Sequence, residues 1–95
     1  MGAIRRLVLD TLKPHDPNIV EMAAQLSELE GICAVNVSIC EVDRRVENAK
    51  ITVEGEDISY LRVLETIEDL GGAVHSIDEV VAGEKIIDDA VTPQD

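Results

Sequence analysis

The sequence has no tryptophan and no phenylalanine, and Tyr60 is its only aromatic residue. A core built from it must be aliphatic, drawn from Val, Ile, Leu and Ala. The same absence argues against single-stranded nucleic-acid binding, which stacks bases on aromatic rings. Basic residues are also scarce, 8 against 20 acids, for a formal net charge of −12. Such a surface repels phosphate backbones, so a nucleic-acid partner is not expected. The bland meaning of the charge is solubility; the sharper one is attraction for cations or a basic protein.

Long apolar runs are missing. None approaches the roughly 18 residues of a membrane helix, so no membrane partner is expected. The apolar stretch after Arg5 and Arg6 is too short for a signal peptide and is broken by Asp10. Gly2 is not followed by the Ser or Thr at position six that myristoylation requires, since Arg6 stands there. Cys33 and Cys40 are the only cysteines. Seven positions apart on one strand, they would lie about 23 Å from each other, too far to pair. They read as free thiols in a reducing compartment, and the location expected is cytoplasmic. No Cys-x-x-Cys, Gly-x-Ser-x-Gly, Walker loop or EF-hand loop occurs.

Ninety-five residues make one domain with one modest core. Ile4 to Leu12 reads as a first strand, ended by Pro14 and Pro17. Asp16 is a fitting N-cap and Pro17 a fitting first residue for a helix to about Leu29, with Ile19, Val20, Met22, Ala23, Leu26 and Leu29 as its apolar stripe. Gly31 ends it. Val35, Val37 and Ile39 alternate with Asn36, Ser38 and Cys40 in a second strand, Ile32 to about Asp43. Ala49, Ile51 and Val53 alternate likewise in a third, Val46 to Glu54. Matching apolar to apolar pairs Val37 with Val53 and Ile39 with Ile51. That register sets Cys40 opposite Lys50, Ser38 opposite Thr52 and Asn36 opposite Glu54. A second helix runs from an Asp57 cap to Leu70, closed by Gly71-Gly72. A fourth strand runs from Ala73 to about Ala82, its facing ambiguous because both parities mix polar and apolar residues.

A faint repeat with a shift of 41 superposes Met22 on Val63, Leu26 on Ile67 and Gly31 on Gly72. Each half is then β-α-β. Two halves give the ferredoxin-like βαββαβ fold, α+β, with a four-stranded antiparallel sheet and both helices on one face. Residues 1–84 form the domain and 85–95 a tail. In that tail Ile86 and Ile87 need burial, either by extending the last strand or against another subunit.

At this point three segments carry a resemblance: Ile4-Arg5-Arg6-Leu7-Val8-Leu9-Asp10, Leu12-Lys13-Pro14-His15, and Val74-His75-Ser76-Ile77-Asp78-Glu79-Val80-Val81-Ala82-Gly83. The chain resembles the archaeal domain-of-unknown-function family numbered 211. The resemblance spans nearly the whole chain, and its most specific part starts at His75. It implies a ferredoxin-like fold and ring-like homo-oligomers with bound divalent cations, and it implies no established activity. The short Ser76-Ile77-Asp78 segment is also similar to the nucleotide-exchange subunit of the archaeal elongation factor, a likeness the first half of the chain does not share.

Three candidate sites follow. Asp10, Asp78 and Glu79 fall on neighbouring strands and suit a hard cation, Ca²⁺ or Mg²⁺; the structural alternative is that Arg5 or Arg6 neutralises them across the sheet. Asn36, Ser38, Cys40 and Lys50, with Thr52, form a half-polar open face, and His75 joins them as a ligand or interface residue. That face is either wet or covered by a subunit or a small ligand. His15 beside Asp16, and His75 near Asp78 and Glu79, could bind metal or move protons, or be an exposed loop residue and a structural hydrogen-bonder. No catalytic residue stands out, and an enzyme is not favoured. The readings in order are an oligomeric module for a small ligand or divalent cation, a regulatory subunit for a basic protein, and an enzyme of unknown reaction.

Overall fold

The structure, a computed structural model, describes residues 2–85. Residues 86–95 of the expected tail, and with them the burial of Ile86 and Ile87, lie outside the described residues, as does Met1. The element order is β1 (Ile4–Pro14), α1 (Ile19–Ser27), β2 (Ile32–Val42), β3 (Val46–Gly55), α2 (Tyr60–Asp69) and β4 (Ala73–Ala82). The four strands make one antiparallel sheet in the order β2-β3-β1-β4. This is the ferredoxin-like α+β fold read from the sequence.

Alternation along the strands sorts the side chains onto two faces. Leu7 and Leu9 of β1 sit opposite Val53 and Ile51 of β3. All four are buried under Met22 and Leu26 of α1 and Val63 and Ile67 of α2. The 41-residue repeat is visible here, since it carries the buried pair of one helix onto that of the other. It also carries one N-cap, Asn18, onto the other, Ser59. Gly55 ends β3 where the chain passes so near Gly31 that a Cβ would overlap the Gly31 carbonyl.

Both caps differ from the sequence reading. Asn18, not Asp16, caps α1, because its side chain accepts the Glu21 N–H at 3.0 Å. Ser59, not Asp57, caps α2, accepting the Arg62 N–H. Asp57 lies before the helix, and the next residue, Ile58, ties the chain to β1 by donating its N–H to the Ile4 carbonyl at 2.9 Å. The Asp16–Pro17 peptide is cis.

The expected register of β2 on β3 is off by two residues. Val35, not Val37, faces Val53, and Val37, not Ile39, faces Ile51. Ser38 is therefore opposite Lys50 and Asn36 opposite Thr52, and Cys40 is not paired with Lys50. The cause lies at the hairpin end. Asp43 donates its N–H to the Val46 carbonyl at 2.8 Å, which leaves only Arg44 and Arg45 in the loop. A register shift between Ile39 and Glu41 then puts Cys40 in a β-bulge. A second shift, between Ile32 and Ala34, does the same for Cys33.

The ambiguous facing of β4 has the same origin. Its pairing with β1 shifts between Val8 and Leu9 and between Asp10 and Thr11. Asp78 and His75 are the extra residues, and each resets the alternation of the strand.

Candidate functional site

The sheet face away from the helices is polar along its middle. From β2 it carries Asn36 and Ser38, from β3 Asn48, Lys50, Thr52 and Glu54, from β1 Arg6, Val8 and Asp10, and from β4 Ser76 and Glu79. Strand alternation places the residues of β1, β2 and β3 on this face, and the bulge at Asp78 brings Glu79 of β4 onto the same side as Ser76. Asn36 and Ser38 stand together, the Ser38 hydroxyl donating to Asn36 Oδ1 at 3.0 Å. Cys40 and His75 are both exposed at bulges, Cys40 in edge strand β2 and His75 in edge strand β4.

Arg6 organises the carboxylates. Its Nε lies 2.8 Å from Glu54 and its Nη1 3.0 Å from Glu79. Glu79 is thus held by a guanidinium across the sheet. Asp10 sits between Lys50 and Ser76 in register and accepts a hydrogen bond from the Asn48 amide at 2.8 Å. Asp78 accepts from the Ser76 hydroxyl at 2.8 Å. The three carboxylates proposed for a cation therefore have different partners. Among the described residues no group of three or more His, Cys, Asp or Glu side chains is placed to hold a metal ion.

The tightest polar cluster lies at the far end of β1, where the sequence reading placed only a loop histidine. Lys13 points to the helix side, in line with Leu9 and Thr11, and is 1% exposed. A buried ammonium must be paired and hydrogen-bonded. Its Nζ donates to Glu47 Oε1 at 2.9 Å and to the Pro14 carbonyl at 2.6 Å. The other oxygen of Glu47 lies 2.8 Å from His15 Nδ1. His15 Nε2 lies 2.9 Å from the carbonyls of both Asp43 and Arg44. One carboxylate thus joins the end of β1 to the β2–β3 hairpin.

The electrostatics follow from those contacts. The Lys13 ammonium holds the Glu47 carboxyl below the usual carboxylate range, with His15 adding to the effect. The hydrogen bond to Glu47 raises the His15 imidazole above its ordinary value, and the Arg44 carbonyl adds to it. Lys13 and His15 were visible in the sequence beside Pro14, but their partner is more than thirty positions away. A lysine among prolines looks like a surface residue, and only the β1–β3 register, with Lys13 opposite Glu47, shows otherwise.

Comparison with known proteins adds identity without activity. A curated relative, "Uncharacterized protein MJ0319" of Methanocaldococcus jannaschii, is 53% identical over 95 residues, spanning 100% of this chain and 98% of its own length. The family model described as "Uncharacterized ArCR" matches residues 5–95. No helix among the described residues is long and apolar enough to cross a membrane. On the strength of the family match and the full-length relative, this chain belongs to the DUF211 family.

Proposed function

We propose that the chain is a non-enzymatic module that self-associates into closed homo-oligomers, with a small ligand or a divalent cation held where copies meet. The observation that carries the reading is the placing of apolar side chains along both outer strands of the sheet. Ile77 and Val80 of β4 are 49% and 52% exposed, and Val42 of β2 is 65% exposed. Single exposed apolar residues are ordinary, but a row on an edge strand supports a contact surface. Packing a β4 rim on the β2 rim of the next copy is a heterologous contact, and such contacts close into rings when the rotation allows.

Charge opposes this association. Copies at −12 repel one another, and salt screens the repulsion over about 8 Å at physiological ionic strength. A divalent cation between copies would offset it more strongly. Because no three carboxylates converge within the described residues of one chain, such a site would need oxygens from two copies. Asp10, Asp78 and Glu79 are the carboxylates that β1 and β4 offer.

Sedimentation velocity at micromolar concentration, with native mass spectrometry, tests the reading. The expected result is a discrete oligomer that Ile77→Asp with Val80→Asp converts to a folded monomer. A wild-type monomer at that concentration overturns the proposal. An oligomer unaffected by chelation removes the bridging cation from it.

A further inference from the structure

The contacts of His15 set a condition on its protonation. Nδ1 faces a carboxylate oxygen and Nε2 faces two carbonyl oxygens. All three are acceptors, because the Glu47 carboxylate is ionised against Lys13. A neutral imidazole has one N–H and one lone pair, so in either tautomer one ring nitrogen would turn its lone pair toward oxygen. Only the imidazolium donates on both sides.

We propose that the β2–β3 hairpin is a pH-sensitive latch, fastened to the end of β1 by the His15 imidazolium and released when that ring loses a proton. The geometry is local to the hairpin. The carbonyls that His15 holds belong to Asp43 and Arg44, the residues that enter the turn. The turn is otherwise closed by the Asp43 N–H to Val46 carbonyl bond and by the Asp43 carboxylate, which accepts the Arg44 N–H at 2.6 Å. The charged groups around the ring are Glu47 of β3, Lys13 of β1 behind it, Asp16 next in the chain, and Asp43, Arg44 and Arg45 of the hairpin. Of these, Glu47 makes the ion pair with the ring. The hydrogen bond to Glu47, with those to the Arg44 and Asp43 carbonyls, favours the charged ring and raises it above its ordinary value.

The latch has something to control. On the open face the hairpin end borders a groove of about 410 Å³ lined by Leu12, Glu41, Val42, Asp43, Val46 and Asn48. Movement of the turn would change the width of that groove and the setting of its exposed Val42 and Val46. The inference stands on the His15 contacts alone and does not depend on self-association.

An NMR titration of the full-length protein tests it. The side-chain resonances of His15 should give a midpoint above 6.5, each pH unit of elevation corresponding to about a tenfold difference in latch closure between the two forms. Exchange protection of the Asp43 amide, after correction for base catalysis, should fall through the same midpoint. In His15→Gln the protection should be low and independent of pH between 5 and 8. A His15 midpoint at or below 6.5, or Asp43 protection that ignores the titration, overturns the proposal. The wild-type titration decides the question even if a variant fails to fold.

Discussion

Lys13 Nζ and Glu47 Oε1 stand 2.9 Å apart, joining the last turn-ward residues of β1 to the first of β3. The two ends of the pair are unequally buried, with side-chain exposures of 0% for Lys13 and 16% for Glu47. Glu47 also has His15 as a second cationic partner, whereas among the described residues Lys13 has only the Pro14 carbonyl besides. The pair should therefore break asymmetrically. Glu47→Gln strands a buried ammonium, a change that typically costs about 3–5 kcal/mol, whereas Lys13→Met leaves a carboxylate still paired and near water. Urea unfolding should show Glu47→Gln as the more destabilised of the two. The reverse order would mean that the carboxylate, not the ammonium, bears the desolvation.

The same cluster gives stability a shape in pH. His15 has its value raised in the folded state, so its contribution is complete below 6.5 and is lost as pH rises through the raised value. Glu47 has its value lowered, so its contribution is present above 4.5 and is lost as pH falls through the lowered value. Between about 4.5 and 6.5 both are in place. Thermal unfolding across pH should show the cluster's full support in that interval. His15→Gln should remove the decline on its alkaline side and leave the acid side governed by Glu47.

Thr11 offers a test in the opposite direction. It is fully buried on the helix side of β1, and its hydroxyl oxygen has no hydrogen-bond partner among the described residues. An unpaired buried hydroxyl carries a desolvation cost, and a methyl of the same shape carries none. Thr11→Val should raise stability by about 1 kcal/mol, read as a higher urea midpoint with an unchanged slope. A loss would show that the hydroxyl is bonded in solution.

Gly55 has neighbours that leave no room for a side chain. A Cβ there would run into the Gly31 carbonyl and lie 2.9 Å from Ile32 Cα, all backbone atoms of the turn into β2. Gly55→Ala should therefore cost well over the ~1 kcal/mol of an average substitution, since rigid backbone must move to admit it. Circular-dichroism melting of this single variant is enough. An unchanged midpoint would place the two turns farther apart than they stand here.

What the sequence made legible, and what it hid, divides by the range of the interaction. The βαββαβ order and the helix stripes follow from periodicity, and Met22, Leu26, Val63 and Ile67 are all fully buried where the repeat placed them. Alternation in β2 and β3 predicted which residues share a face, but not which residues pair. Bulges at Cys33 and Cys40 carry no distinctive composition, and matching apolar residues by twos permits neighbouring registers equally. The mixed parities of β4 were the trace of two bulges, at His75 and Asp78, rather than of an indecisive strand. Topology offered Arg5 or Arg6 as the partner of the carboxylates on the neighbouring strands, and it is Arg6 that meets Glu79, at 3.0 Å. The Lys13, Glu47 and His15 cluster depends on tertiary register, and so escaped a reading along the chain.

Those bulges also bear on what the two edges of the sheet can template. A smooth edge strand invites another strand to add to it, and then another, as in a fibril. Here β2 is interrupted near both ends and β4 twice along its length, so neither presents an unbroken row of backbone donors and acceptors. A sheet with such borders is a poor template for endless growth. Any neighbour it accepts must be recognised by the shape and chemistry of its side chains.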